Sequence, residues 1–235
     1  MKLARPDIRH PRIVLAGCPQ SVEGDGDDAG LIAALRRRGL HARWMSWDDP
    51  ATVRADLVIL RATRDYPDRL DEFLRWTRRV PNLLNAPDVI AWNLDERYLR
   101  DLHRAGVPTL LGRSGGRTRP PGETALVFLG GEQSHAFTTS AVVEPDFELW
   151  DVGQAALQAA ADHLGIRASD LLYARVDASG KPGDPRLVSL DLVAPSLGWR
   201  LLDDAARDDG QRQFAVCVAS ALERLGLGPF SHRRP

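Results

Sequence analysis

Two short apolar runs constrain this chain more than anything else in it. RIVLAG (12–17) and ADLVILR (55–61) are β-branched and leucine-rich through their middles. Such runs suit strands covered on both faces, as in a parallel sheet with helices on each side. Between them DAGLIAALRRRG (28–39) places Leu31, Ile32 and Leu35 on one face, with Asp at its start, Arg in its last turn and Gly39 as its stop, which predicts a helix. HARWMSW (41–47) predicts a further strand. DRLDEFLRWTRRV (68–80) and LDERYLRDLHRAG (94–106) have helical spacing, with a loop carrying Asn85 and Pro87 between them, and VPTLL (107–111) reads as one more strand. Alternating elements of this kind argue for an open α/β unit.

A composition break follows. GRSGGRTRPPG (112–122) is Gly, Pro, Ser and Arg with almost nothing apolar, and reads as a linker. Beyond it, TALVFLGGEQSHAFTT (124–139) predicts a hairpin around Gly-Gly, QAALQAAADHLG (154–165) a helix, LLYARVDA and PRLVSLDLVAP a second strand pair, and GQRQFAVCVASALERLG (210–226) a closing amphipathic helix. The expected organisation is an N-terminal α/β domain over 10–112, a linker over 113–122 and an α+β domain over 123–227.

Charge narrows the partners. Lys plus Arg number 31 against 32 Asp plus Glu, so the chain has no excess of positive charge to draw it to nucleic acid or to a membrane surface. Cys18 and Cys217 stand far apart in apolar contexts, which predicts two buried thiols and neither a disulfide framework nor a metal cluster. The six histidines lack metal-ligand spacing, and no G-x-S-x-G marks a serine nucleophile. With no apolar run of membrane-spanning length and no secretory signal pattern in MKLARPDIRHPR, the cytoplasm is the expected location. Lys2 and Lys181 are the only lysines.

The acidic loop EGDGDD (23–28) resembles the start of a calcium loop, but Arg36 stands where the bidentate Glu is needed, so the expectation is a solvated loop capping the next helix. No G-x-G-x-x-G is present to bind a dinucleotide. The more informative stretch is YARVD (173–177) followed by LVSLD (187–191). Side chains alternate along a strand, so Arg175 and Asp177 share one face, as do Ser189 and Asp191; pairing of the two strands would gather all four. That set suits a hard cation beside a phosphate, and equally an ion pair on the exposed face of a hairpin.

RATRDYPDRLDEFLRW (61–76), NAPDVIAWNLDERYLRDLHRAGVPTL (85–110), GETALVFLGGEQSHAFTT (122–139) and LLYARVD with LVSLDLVAPSL (171–197) resemble, in order, blocks of the bacterial ATP-grasp family, ligases related to glutathione synthetase and D-alanine:D-alanine ligase, near the cycloserine-forming branch. The resemblance implies an α/β fold with an open pre-ATP-grasp domain followed by an α+β ATP-grasp half. It also implies a reaction in which ATP and magnesium activate a carboxylate for attack by an amine. Carried over residue by residue, it makes Arg175 a catalytic residue, Asp177 and Asp191 metal ligands, and Arg61, Asp65 and Tyr66 the lining of a substrate crevice.

The sequence departs from that pattern in four places. Only GRSGGRTRPP stands where the family has its central lid, so a reduced ATP-grasp half is expected. Glu96 replaces a nucleotide-contacting lysine, Ser189 replaces the carboxylate that bridges two metal ions, and Thr138, Thr139 and Ser140 stand where a basic residue lies near the phosphates. The expectation is a degenerate homologue without ligase activity or cofactor, binding a small molecule or a protein partner. The alternatives are a minimal ATP- and Mg-dependent ligase, with Arg113, Arg117 and Arg119 replacing the lysines, and a structural homo-oligomer.

Overall fold

The computed structural model describes residues 10–111, 123–181 and 183–228. The linker at 113–122, with Arg113, Arg117 and Arg119, lies outside them. The first sheet is parallel, with strands β1 (Ile13–Gly17), β2 (Ala42–Ser46), β3 (Leu57–Ala62) and β4 (Leu83–Leu84) in the order β2-β1-β3-β4. Its two central strands are buried along their whole length, as the apolar runs require. Val14, Ala16, Val58 and Leu60 face Phe73 and Trp76 of helix α2 (Leu70–Thr77). Ile13, Leu15, Leu57 and Ile59 face the opposite way, toward helix α1 (Leu31–Arg37).

The second sheet is antiparallel. Strands β5 (Thr124–Leu129), β6 (Glu132–Phe137), β7 (Val142–Val143), β8 (Tyr173–Lys181) and β9 (Asp184–Asp191) are arranged β7-β6-β5-β8-β9. The hairpin between β5 and β6 turns through Gly130 and Gly131, both at positive φ (60° and 86°), which is the backbone that a tight two-residue connection demands. Leu126, Phe128, Ala174 and Val176 face helix α5 (Phe147–Leu164), and burial of a leucine or phenylalanine of this kind contributes about 1.5–3 kcal/mol. Ala125, Val127, Leu129 and Tyr173 face helix α6 (Asp204–Arg224) and join the α1 side of the first sheet in one hydrophobic cluster. One of the hydrophobic clusters thus spans both sheets.

Several elements differ from the sequence reading. The residues around Pro87 are not a loop but helix α3 (Pro87–Asn93), with proline in its first turn, where a missing N–H costs nothing. Helix α4 is shorter than expected (Tyr98–Arg104). VPTLL makes one parallel bridge, Thr109 to Leu187, with Leu110 N donating to Leu187 O at 2.8 Å, and so it joins the edge of the second sheet. Val89, Leu102 and Val107 likewise pack on that sheet, although the expected boundary follows them in sequence.

The acidic loop is a larger correction. Asp27 and Asp28 are buried, and α1 starts beyond them after Gly30, with no side-chain cap. Asp27 accepts from Ser196 Oγ (2.9 Å) and from the backbone N–H groups of Leu197 (2.9 Å), Gly198 (3.1 Å) and Arg200 (3.1 Å). The loop is a clasp between the two halves of the chain. Asn85 is a second one: its Nδ2 donates to Tyr173 O (3.1 Å) and Leu192 O (2.8 Å), and its Oδ1 accepts from Leu172 N (2.8 Å).

Candidate functional site

The β8–β9 register sets Arg175 opposite Asp191 and Asp177 opposite Ser189, on the sheet face that looks toward the first sheet. Arg175 Nε donates to Asp177 Oδ1 at 2.9 Å and Nη2 to Oδ2 at 3.2 Å, while Ser189 Oγ donates to the same Oδ2 at 3.0 Å. The pair is largely enclosed, with 17% and 11% of the two side chains exposed. The guanidinium lies 5.4 Å from the centre of the Phe137 ring. Its Nη1 has no partner among the described residues.

Asp191 Oδ1 accepts the backbone N–H of Val193 at 3.0 Å. Burial raises its carboxyl pKa, and the neighbouring charge of Asp177 pushes the same way, against the pull of that N–H and of Arg175. Two phenols stand beside it. Tyr66, stacked on Phe73 at 5.1 Å, is pushed up to about 12 by burial first and then by Asp191 and Tyr98. Tyr98 accepts the N–H of Leu190 at 3.2 Å and is also pushed up to about 12, by burial and then by Asp191 and Asp177. Both phenols are hydroxyl donors at neutral pH.

Arg61 and Asp65 stand elsewhere. Arg61 donates through Nε (3.0 Å) and Nη2 (2.9 Å) to Asp28 Oδ1, and it lies between the rings of Tyr173 (5.2 Å) and Trp199 (5.7 Å) with 1% of its side chain exposed. It is an internal ion pair rather than the wall of an open crevice. Asp65 accepts from Trp47 Nε1 at 2.9 Å and from Arg69 Nη1 at 3.4 Å, bonds that hold the chain after β3. The structure therefore gathers Tyr66, Arg175, Asp177, Ser189 and Asp191, adds Tyr98, and leaves Arg61 and Asp65 in supporting networks. Tyr98 escapes sequence reasoning because it sits in a stretch that reads only as helix.

Comparison with known proteins bears on this arrangement. Residues 13–85 match the family model described as the N-terminal domain of the D-cycloserine synthetase DcsG. The cycloserine biosynthesis protein DcsG of Streptomyces lavendulae is 25% identical over an alignment of 290 residues, covering 85% of this chain and 95% of the relative. The crystal structure of D-cycloserine synthetase DcsG superposes with a TM-score of 0.77 at 23% identity, over 90% of this chain and 99% of that one. The chain shares the fold of the ATP-grasp ligases. D-alanine–D-alanine ligase from Bacillus anthracis, complexed with ATP, shares the fold more distantly, with a TM-score of 0.58 at 14% identity, over 92% of this chain and 98% of that one. The 290-residue alignment exceeds the 235 residues of this chain, in keeping with a shortened ATP-grasp half. Kinship of this kind points to a ligase-like protein. No helix of the described residues is long and apolar enough to cross a membrane.

Proposed function

We propose that this ATP-grasp relative no longer ligates and acts as a ligand-binding protein, holding an acceptor-bearing small molecule at Arg175 between Tyr66 and Tyr98. The observation that carries the reading is the closed circuit at Asp177. Both of its carboxylate oxygens are engaged, one by Arg175 and the other by Arg175 and Ser189. A pair of magnesium ions needs several oxygen ligands with negative charge to spare. Here Asp177 is paired with its own arginine, burial raises the pKa of the Asp191 carboxyl, and Ser189 supplies a neutral hydroxyl between them. Among the described residues no group of three or more His, Cys, Asp or Glu side chains converges as a metal site. This donor set does not fit a two-metal centre. Glu96, exposed near the start of α4, adds a carboxylate that repels a triphosphate. Donors, by contrast, are plentiful: Arg175 Nη1 and the hydroxyls of Tyr66 and Tyr98 suit an acceptor group on a ligand.

The deciding experiment is calorimetric titration with a non-hydrolysable ATP analogue and magnesium, on the unaltered protein and on Asp177→Ala. Absence of heat in both is the expected result. Micromolar binding that disappears in Asp177→Ala would overturn the proposal in favour of a minimal ATP-dependent ligase.

A further inference from the structure

A cleft of about 490 Å³ opens between β6, the end of α1 and the first half of α6. It shares no residue with the Arg175 cluster. Two arginines line it. Arg212 is paired with Asp209 at 2.7 Å, whereas Arg38 has no carboxylate partner among the described residues. Leu202 and Val216 add apolar lining.

Behind Gly210, which lines the cleft, lies an unmet donor. Trp199 is fully buried, and its indole N–H has no acceptor, a state that costs about 1–3 kcal/mol unless something satisfies it. The group abuts Gly210, a lining residue in the interior of α6. A Cβ at that position would sit 3.1 Å from the indole nitrogen and 4.0 Å from Ser134 Oγ. Glycine inside a helix is unfavourable by about 1 kcal/mol relative to alanine, and here the missing Cβ lets the α6 backbone lie close to the indole N–H and the serine. Beside it, His135 Nε2 donates to Leu197 O at 2.6 Å, so Nδ1 is left to accept from Ser134 Oγ at 3.0 Å. Both groups are fixed by bonds within the protein.

We infer that this cleft is a second binding site, for a small aliphatic monocarboxylate whose oxygen reaches the Trp199 N–H past Gly210, whose charge is met by Arg38, and whose hydrocarbon body lies on Leu202 and Val216. Because Asp209 neutralises Arg212, the net positive charge available is that of one arginine, which matches a monoanion better than a phosphate dianion.

The test is titration of the full chain, ¹⁵N-labelled at tryptophan, with sodium butyrate, following the Trp199 indole cross-peak assigned by triple resonance. A saturable shift of that peak is expected, weakened about tenfold in Arg38→Ala, the equivalent of one charge-assisted contact, and abolished in Gly210→Ala, where a methyl fills the gap. Arg38 is exposed at the end of α1, so its variant folds and tests the site even if Gly210→Ala does not fold. The inference fails if butyrate leaves the peak unmoved, if Arg38→Ala binds as tightly as the parent, or if inorganic phosphate shifts the peak and butyrate does not.

Discussion

Ser189 faces Asp177 across the β8–β9 pair, and its hydroxyl donates at 3.0 Å to the same carboxylate oxygen that Arg175 Nη2 holds. A glutamate at that position would place a third carboxylate between Asp177 and Asp191. Ser189→Glu is therefore expected to strengthen magnesium binding relative to the unaltered protein, read as heat on titration with magnesium chloride. Equal silence from both proteins would show that position 189 is not what limits the site.

The chain has three tyrosines, Tyr66, Tyr98 and Tyr173, and burial raises the pKa of each. Ultraviolet titration of the folded protein is expected to show no phenolate until the pH approaches about 12, against roughly 10 for the unfolded chain. The sign follows from linkage. Above pH 10 the unfolded state gives up phenol protons that the folded state keeps, so stability falls as pH rises toward 12. Tyr66→Phe and Tyr98→Phe should each flatten that decline.

Asp27 carries four bonds from the Ser196–Arg200 segment. Asp27→Ala leaves buried N–H groups unpaired and is expected to cost about 3 kcal/mol in urea unfolding. Hydrogen exchange should quicken at Leu197, Gly198 and Arg200 before it does in β5 or β8. Uniform exchange throughout would contradict the clasp.

Asn85 satisfies three backbone groups of the second sheet and of the segment beyond β9. Asn85→Ala should destabilise by about 3 kcal/mol or more, whereas Asn82→Ala, which loses a single bond to Asp56 O, should cost about 1 kcal/mol. Similar midpoints for the two variants would argue against that account.

How much of the fold and site is legible in the sequence depends on how local each cause is. The strands of the first sheet and the Gly-Gly hairpin are plain, because their signals lie within a few residues. The gathering of Arg175, Asp177, Ser189 and Asp191 is legible for the same reason, since period-two alternation and one hairpin suffice to bring them together. Helix α3 is hidden because Pro87 reads as a breaker, although proline in the first turn starts helices as readily as it ends them. The burial of Asp27 and Asp28 leaves no local trace: their partners are Arg61 and the Ser196–Arg200 segment, brought to them only by tertiary folding. Arg61 reads as a crevice residue for the same reason, since the sequence alone leaves its carboxylate partner in solvent.

The hydrophobic cluster that unites Ile13, Leu57, Val127, Tyr173 and Phe214 has a mechanical consequence. Domain rocking requires a polar, loosely packed interface on which two bodies can slide or turn. Here the surface between the sheets is interior, and Asp27 and Asn85 are fastened across it. Access to the Arg175 cluster is then expected to depend on local movement at its rim, while the two sheets travel and unfold as one body.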